Sequence, residues 1–358
     1  MTSVTLTIDQ LYRNQPGGIA TYVRGLVRGL AELDDATLEP TGLGPRGSSE
    51  PARDLPLRVV HAPLGLRVVT TLWASWPIGV PRDADVVHAT SMSGPFAGGR
   101  SGAVHSVALH DLLWRDEPGA TTRSGARFHE DRLRLITRRE DLRVFTSSPD
   151  LGERLVAEGV APSRLFRVRL GVDEPADAAA SVADVRDVLA RHDVNGRFTL
   201  FAGTREPRKN LERLVVAHRS ARSSADELGS LVLVGPEGWG GVDTDDAIVL
   251  GAVDRPILRG LLRDATLFAY VPRAEGWGLP PVEALRAGTR VVASRSTPSV
   301  RSNDEVVLVD PLEVESIADG LLRALALPDD DAARARRRAS VADLTWRNCA
   351  LDHVAGWR

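Results

Sequence analysis

Short apolar runs bounded by glycine, proline or charged residues alternate along this chain with longer segments whose apolar positions return every three or four residues. The runs read as buried strands and the periodic segments as amphipathic helices. In the first half, strands are predicted at Val4–Ile8, Leu57–His61, Asp85–His88, Val104–His110, Arg143–Thr146 and Leu165–Arg169. Helices are predicted there at Ile19–Leu33, Ala126–Glu140 and Asp150–Glu158. The second half repeats the scheme, with strands at Phe198–Ala202, Ser230–Val234, Ala247–Leu250, Thr266–Tyr270, Val291–Ser294 and Val306–Val309. Its helices fall at Leu211–Ala221, Pro256–Arg263, Pro281–Arg286 and Val314–Ala326, with a last one over Thr345–Trp357. Such alternation predicts an α/β fold of parallel sheets covered by helices.

A chain of 358 residues is too long for one ordinary core and suits two domains. The polar, alanine-rich stretch Asp173–Ser181, with Pro175, lies where the first sheet should end. The predicted division is a first domain over 1–172, a linker over 173–195, a second domain over 196–344 and a terminal helical segment over 345–358. Hydrophobic content of 43% with 26% charged residues describes a soluble globular protein. A net charge of −3 gives no electrostatic case for general nucleic-acid binding. Cys349 is the single cysteine, so no internal disulfide can form, which suits a reducing cytoplasm. No basic region followed by an apolar stretch opens the chain, so no signal peptide is expected. The most apolar interior segment, Val68–Val80, is too short to span a bilayer.

Candidate chemistry concentrates in three places. After the predicted strand ending at Tyr270 comes Ala274-Glu275-Gly276-Trp277-Gly278-Leu279-Pro280-Pro281-Val282-Glu283, which opens a helix at its prolines and closes it with Gly288. Glu275 then sits in a glycine-bracketed loop and Glu283 in the first helical turn, both projecting into one crevice with free backbone N–H groups. Such a crevice suits a polyhydroxylated, anionic ligand, because carboxylates accept from hydroxyls and helix-terminal amides take phosphate oxygens. The second place is Gly203-Thr204-Arg205-Glu206-Pro207-Arg208-Lys209, a glycine loop between a strand and a helix. Lys209 is the only lysine of the chain, and with Arg205 and Arg208 it makes an anion site. The third lies in the first half. Gly17-Gly18 follows the first strand and lets backbone approach a ligand closely. His110 and Asp111 end the fourth strand, with His88 in an analogous position at the end of the third.

The segment from Glu275 to Gly288 resembles the paired-glutamate signature of the retaining GT-B glycosyltransferases of family 4, the glycosyl transferases group 1. The loop ending at Lys209-Asn210 resembles the diphosphate loop of one branch of that family. The resemblance covers nearly the whole chain and implies two Rossmann-like domains facing across a cleft. It also implies a nucleotide-sugar co-substrate, no other cofactor and no metal. In that picture Glu275 holds donor-sugar hydroxyls, Glu283 holds the ribose, and amides around Gly276, Trp277, Gly278 and Leu279 contact sugar and diphosphate. Gly17 and Gly18 face the diphosphate, and His110 meets the sugar and acceptor. Beside that picture, Asp111 is placed either to orient the His110 ring or to bind the acceptor, and His88 reads first as a structural histidine, with the acceptor side as its alternative. Other branches carry arginine where this chain has Thr204, so either Arg205 or Arg208 supplies the second positive charge beside Lys209. Removing Lys209 is expected to lower turnover and leave the fold intact. The branch tilts the donor toward GDP-mannose.

Acceptor identity is not readable, and a glycan, a lipid-linked sugar or a small molecule all remain open. The arginines of the helix Ala126–Glu140 and its flanks, Arg132 among them, offer a surface for anionic lipid at the inner membrane face. A solvated, salt-bridged helix explains the same charges. Asp243-Thr244-Asp245-Asp246 imitates a metal motif but lies in a hydrophilic loop and reads as solvent-facing. The competing functional readings are a nucleotide-sugar epimerase or phosphorylase of the same architecture and a non-catalytic nucleotide-sugar-binding protein. A phosphorylase needs a pyridoxal-phosphate lysine deep in its second domain, where this chain has none to spare.

Overall fold

The computed structural model describes residues 1–14, 17–33, 37–47, 51–117, 119, 121–173 and 179–358. Gln15 and Pro16 of the glycine loop, and residues 174–178 of the expected junction, lie outside them. Two compact units form: one from residues 1–115, 121–171 and 343–358, the other from 116–120 and 172–342.

In the first unit the strands are β1 (Thr2–Thr7), β2 (Leu38–Gly44), β3 (Arg58–His61), β4 (Val86–Ala89), β5 (Val104–Ala108), β6 (Leu142–Thr146) and β7 (Leu165–Arg167). They pair in parallel in the order β3-β2-β1-β4-β5-β6-β7. The helices are α1 (Gly18–Glu32), α2 (Leu66–Leu72), α3 (Leu113–Asp116), α4 (Arg123–Arg138) and α5 (Pro149–Ala157). The second unit contains α6 (Val182–Ala190), α7 (Leu211–Arg222), α8 (Arg255–Asp264), α9 (Leu279–Ala287), α10 (Val314–Ala326) and α11 (Asp331–Ala339). Its strands are β8 (Phe198–Ala202), β9 (Ser230–Val234), β10 (Ile248–Gly251), β11 (Leu267–Tyr270), β12 (Val291–Ser294) and β13 (Val306–Val309), in the order β10-β9-β8-β11-β12-β13. Both sheets are parallel, as the strand–helix alternation predicted, and their central strands are buried through and through.

Each strand order reverses direction once, between β1 and β4 in the first sheet and between β8 and β11 in the second. In open α/β sheets ligands bind beyond the carboxyl ends of the strands at such a reversal. The chain places residues 8–14, Gly17-Gly18 and Thr90–Ser93 there in the first unit, and Gly203–Lys209 and Val271–Gly278 in the second.

The last helix, α12 (Trp346–Trp357), belongs to the first unit and packs on α1. Two glycines of α1 make room for it. A Cβ on Gly25 would lie 2.1 Å from the Trp346 ring, and one on Gly29 would lie 2.0 Å from the Trp346 carbonyl oxygen. On the far side of this contact runs a buried hydrogen-bond chain whose proton positions follow from its anchor. His353 Nδ1 lies 2.7 Å from the Cys349 carbonyl, which can only accept, so Nδ1 carries the proton. His353 Nε2 therefore accepts from Tyr22 Oη at 2.8 Å, and Tyr22 in turn accepts from His88 Nε2 at 3.0 Å. His88 Nδ1 accepts from Ser106 Oγ at 2.9 Å. The chain leaves both imidazoles neutral, and burial depresses their pKa values, that of His353 to about 4.

A depressed histidine pKa means that the unfolded chain binds more protons between about pH 4 and pH 6.5. Stability is thus full above about pH 6.5 and is lost as pH falls toward 4, with His353 alone contributing about 3 kcal/mol. Urea unfolding measured at pH 7 and at pH 4.5 should show this loss, and His353→Asn should reduce it. An equal slope in both proteins would refute the neutral assignment.

Candidate active site

In the second unit the two loops at the strand reversal are held together by a buried ionic cluster. A short 3₁₀ turn, Pro207–Lys209, ends with Asn210 in the left-handed conformation (φ 62°) and leads into α7. Asn210 Nδ2 donates to the carbonyls of Val271 (3.0 Å) and Pro311 (2.6 Å), fixing the turn against the loop after β11. Lys209, only 6% exposed, donates to Glu275 Oε2 at 2.5 Å and to the Tyr270 hydroxyl. Tyr270 donates to the same Oε2 at 2.5 Å, and Arg208 Nη1 reaches it at 3.2 Å. Glu275 Oε1 takes one donor, the Gly276 amide at 3.1 Å. Burial pushes the Glu275 carboxyl up, but the adjacent Lys209 and Arg208 charges outweigh it and hold the pKa at about 2. Burial lowers the Lys209 pKa, and Glu275 opposes the shift.

The two cations are therefore compensated within the protein, because Arg208 also pairs with Glu206 at 2.6 Å. Arg205 differs: among the described residues its buried Nη1 has no hydrogen-bond partner. The indole Nε1 of Trp277 is buried and unpartnered too. Thr204 packs its methyl where a Cβ on Gly238 would fall, at 2.8 Å.

The glutamates expected in one crevice lie in separate clusters. α9 begins at Leu279, ahead of the prolines, so Glu283 is its fifth residue, in the second turn and not the first. Gly278 caps it with φ 94°, and a Cβ there would also meet Thr297 Cγ2 at 2.6 Å. Ser299 braces the loop, its Oγ donating to the Gly278 carbonyl at 2.6 Å and its amide to that of Trp277 at 3.0 Å. Glu283 lies 3.5 Å from Arg255, which pairs more closely with Asp173 at 2.6 Å. These side chains, with Arg259 and Arg286, line a small cavity of about 20 Å³. Burial raises the Glu283 carboxyl, with Arg255 acting against it.

In the first unit Gly17 and Gly18 stand at the start of α1, and a Cβ on either would meet nothing within 4 Å. Packing among the described residues does not account for these glycines. His110, half-buried just beyond β5, donates through Nε2 to the Thr90 carbonyl at 2.9 Å. Nδ1 is thereby left as an acceptor. Its ring meets Tyr22 edge-on at 4.9 Å, and burial lowers its pKa. Asp111 does not orient the His110 ring; its Oδ1 takes the Leu113 amide at 3.0 Å and starts α3. His88 is structural, and its acceptor-side alternative is corrected: it is fully buried with both ring nitrogens bonded, so it cannot contact an acceptor. The aspartates at 243–246 are loop residues, with Asp243 taking the Asp245 amide and Asp246 pairing with Arg219. Among the described residues no group of three or more His, Cys, Asp or Glu side chains is gathered as a metal site.

Residues 196–326 match the family model of glycosyl transferases group 1. Over that stretch the chain is similar to the group 1 glycosyltransferases. The chain is 29% identical to the O-antigen chain mannosyltransferase B of Escherichia coli, over 50% of either chain. It is 31% identical to the GDP-mannose:cellobiosyl-diphosphopolyprenol alpha-mannosyltransferase of Xanthomonas oryzae pv. oryzae, over 60% of this chain and 56% of that one. It thus spans about half the length of these curated relatives. Against the MMP alpha-(1→4)-mannosyltransferase of Mycolicibacterium hassiacum the identity is 28%, covering 95% and 94%. Sucrose-phosphate synthase from Thermosynechococcus elongatus superposes with a TM-score of 0.73 at 19% identity, covering 99% and 98%. WaaG, a glycosyltransferase involved in lipopolysaccharide biosynthesis, superposes at 0.69 and 15%, covering 99% and 98%. These likenesses show the GT-B fold.

The Lys209–Glu275 bond revises one expectation. Removing Lys209 leaves a buried carboxylate short of its closest charge, which ordinarily costs about 3–5 kcal/mol. Arg208 and Tyr270 remain, so Lys209→Ala should lose about 3 kcal/mol in urea unfolding, and Lys209→Ala/Glu275→Gln should recover part of it. A single-variant loss below about 1 kcal/mol would mean the pair contributes little to stability.

Proposed function

We propose that this chain transfers mannose from GDP-mannose to a hydroxyl of a glycan or lipid-linked acceptor, with retention at the anomeric carbon and without a metal. The observation that carries the reading is the joining of Lys209 to Glu275 at the strand reversal of the second sheet, where each lies on a motif of the family. The names of the relatives support mannose, and one of them is named for GDP-mannose and a diphosphopolyprenol acceptor.

In this reading the diphosphate oxygens take donors from Lys209 and Arg205 and from the amides at the start of α9. Arg205 supplies the second charge, because its Nη1 lacks an acceptor while Arg208 is bound to two carboxylates. Glu275 Oε1, with one donor of its own, accepts from a sugar hydroxyl. Glu283, only loosely met by Arg255, accepts from the ribose. Neutral His110 presents Nδ1 as an acceptor to the sugar or the incoming hydroxyl. Catalysis is then electrostatic: donors fixed in advance stabilise the charge that grows on the departing diphosphate, which takes the acceptor's proton on the same face. Loss of one such donor costs about 100- to 1000-fold in rate.

Peripheral membrane contact is a second part of the proposal. Among the described residues no helix is long and apolar enough to cross a membrane. Arg123, Arg127, Arg134 and Arg138 of α4 are exposed, whereas Arg132 is buried, donating to the carbonyls of Gly94 and Thr70. That second bond ties α4 to α2, which with its following loop exposes Arg67, Val68 and Trp76. Basic side chains beside exposed apolar ones suit an anionic lipid surface.

Calorimetry against GDP-, UDP- and ADP-sugars should show binding of GDP-mannose, abolished in Glu283→Ala, and a turnover loss of about 100-fold or more in Arg205→Ala. A folded protein that binds none of these donors overturns the transferase reading. On liposomes containing phosphatidylglycerol the protein should float, and less so after Trp76→Ser; no flotation of the intact chain removes the membrane part.

A further inference from the structure

Tyr270 belongs to neither family motif, yet its hydroxyl stands at the centre of the ionic cluster. It is the last residue of β11, 1% exposed, and its ring stacks on Phe201 at 5.9 Å and Phe268 at 6.2 Å. Both side-chain torsions are thereby locked, and the hydroxyl has one place to be. It donates to Glu275 Oε2 and accepts from Lys209, whose ammonium also lies 4.8 Å from the ring centre. Among the described residues Oε2 thus collects three side-chain donors while Oε1 holds only the Gly276 amide.

We propose that Tyr270 is a positioning residue for sugar transfer, holding the Glu275 carboxylate so that Oε1 alone faces the substrate. The inference rests on the role given to Glu275 above. Its physical content is a division of labour between two of the three side-chain donors to Oε2, Lys209 and Tyr270. An anionic substrate group competes for the Lys209 ammonium, and a lysine stem has the freedom to follow it. The phenol is neutral, rigid and unattractive to an anion, so its bond to Oε2 survives that competition. Glu275 keeps its orientation, and its charge keeps a donor, at the stage when Lys209 is drawn away. Phenylalanine at 270 preserves the ring stack and removes only this bond.

The test compares the intact chain, Tyr270→Phe, Glu275→Gln and the double variant for GDP affinity by calorimetry and for kcat and KM with GDP-mannose. Tyr270→Phe should bind GDP within about 2-fold of the intact chain while kcat falls roughly 10-fold, the effect of losing one hydrogen bond to a charged group. In the Glu275→Gln background the same change should cost less than about 2-fold, because the tyrosine acts through that carboxylate. Equal losses in both backgrounds would mean that Tyr270 is merely structural. An unchanged kcat in Tyr270→Phe likewise overturns the proposal. Tyr270→His, a smaller ring that keeps an N–H donor, is the second variant; a kcat above that of Tyr270→Phe supports the positioning role, and one no better argues against it. If the intact chain binds no GDP-mannose, the donor reading itself has failed, and the tyrosine's role falls with it.

Discussion

A buried lysine and a buried glutamate are each unfavourable alone, and their union at the head of the second sheet is what allows both to exist there. The loops after β8 and β11 come from strands that neighbour each other only because the sheet reverses between them. The bond between Lys209 and Glu275 closes that seam, and Asn210, Arg208 and Tyr270 add donors around it. Everything placed further out, from the Gly276 amide to the first turn of α9, takes its position from a loop so fixed.

The same arrangement gives the crevice an unexpected electrostatic character. A loop with two arginines and a lysine reads as strongly positive, yet Glu206 and Glu275 cancel Arg208 and Lys209. Binding an anion there is an exchange of partners and not the simple filling of a positive hole. The unpartnered buried donors, Arg205 Nη1 and Trp277 Nε1, are the groups that gain a bond without losing one. In the proposed function such an exchange ties recognition of the phosphate to the freedom of the carboxylate.

Much of the architecture was legible in the chain, because buried parallel strands are continuous apolar runs and helices carry a three-to-four periodicity. Phe198–Ala202, Ser230–Val234, Val291–Ser294 and Val306–Val309 appear at their predicted limits. β2 was not legible: Pro40, Gly42 and Gly44 break its apolar run. Gly42 is there because a Cβ would sit 2.5 Å from Leu57 Cδ1, a constraint set by a neighbour far along the chain. α6 and α11 were missed for a related cause, since alanine and charged residues hide a narrow apolar stripe, just Val185 and Leu189 in α6. Within the site, residue types and loop positions pointed to the right stretches, but not to their pairing. His88 and His110 look alike as histidines ending strands. Only the return of α12, which buries His88 beneath His353 and Trp357, separates them. Tyr270 gave no signal beyond being one apolar-run residue with a hydroxyl.

The return of α12 also bears on how such a protein can be divided. The first unit is discontinuous in sequence, with residues 343–358 completing a surface whose glycines, Gly25 and Gly29, are shaped for Trp346. A gene fragment ending near residue 171 would express that surface as an open slot, with Tyr22 deprived of the His353 that takes its proton. Exchange of this unit between related proteins therefore has to carry the final helix along with the first sheet. Recombination at a single point midway along the chain would join an α1 and an α12 that never evolved together.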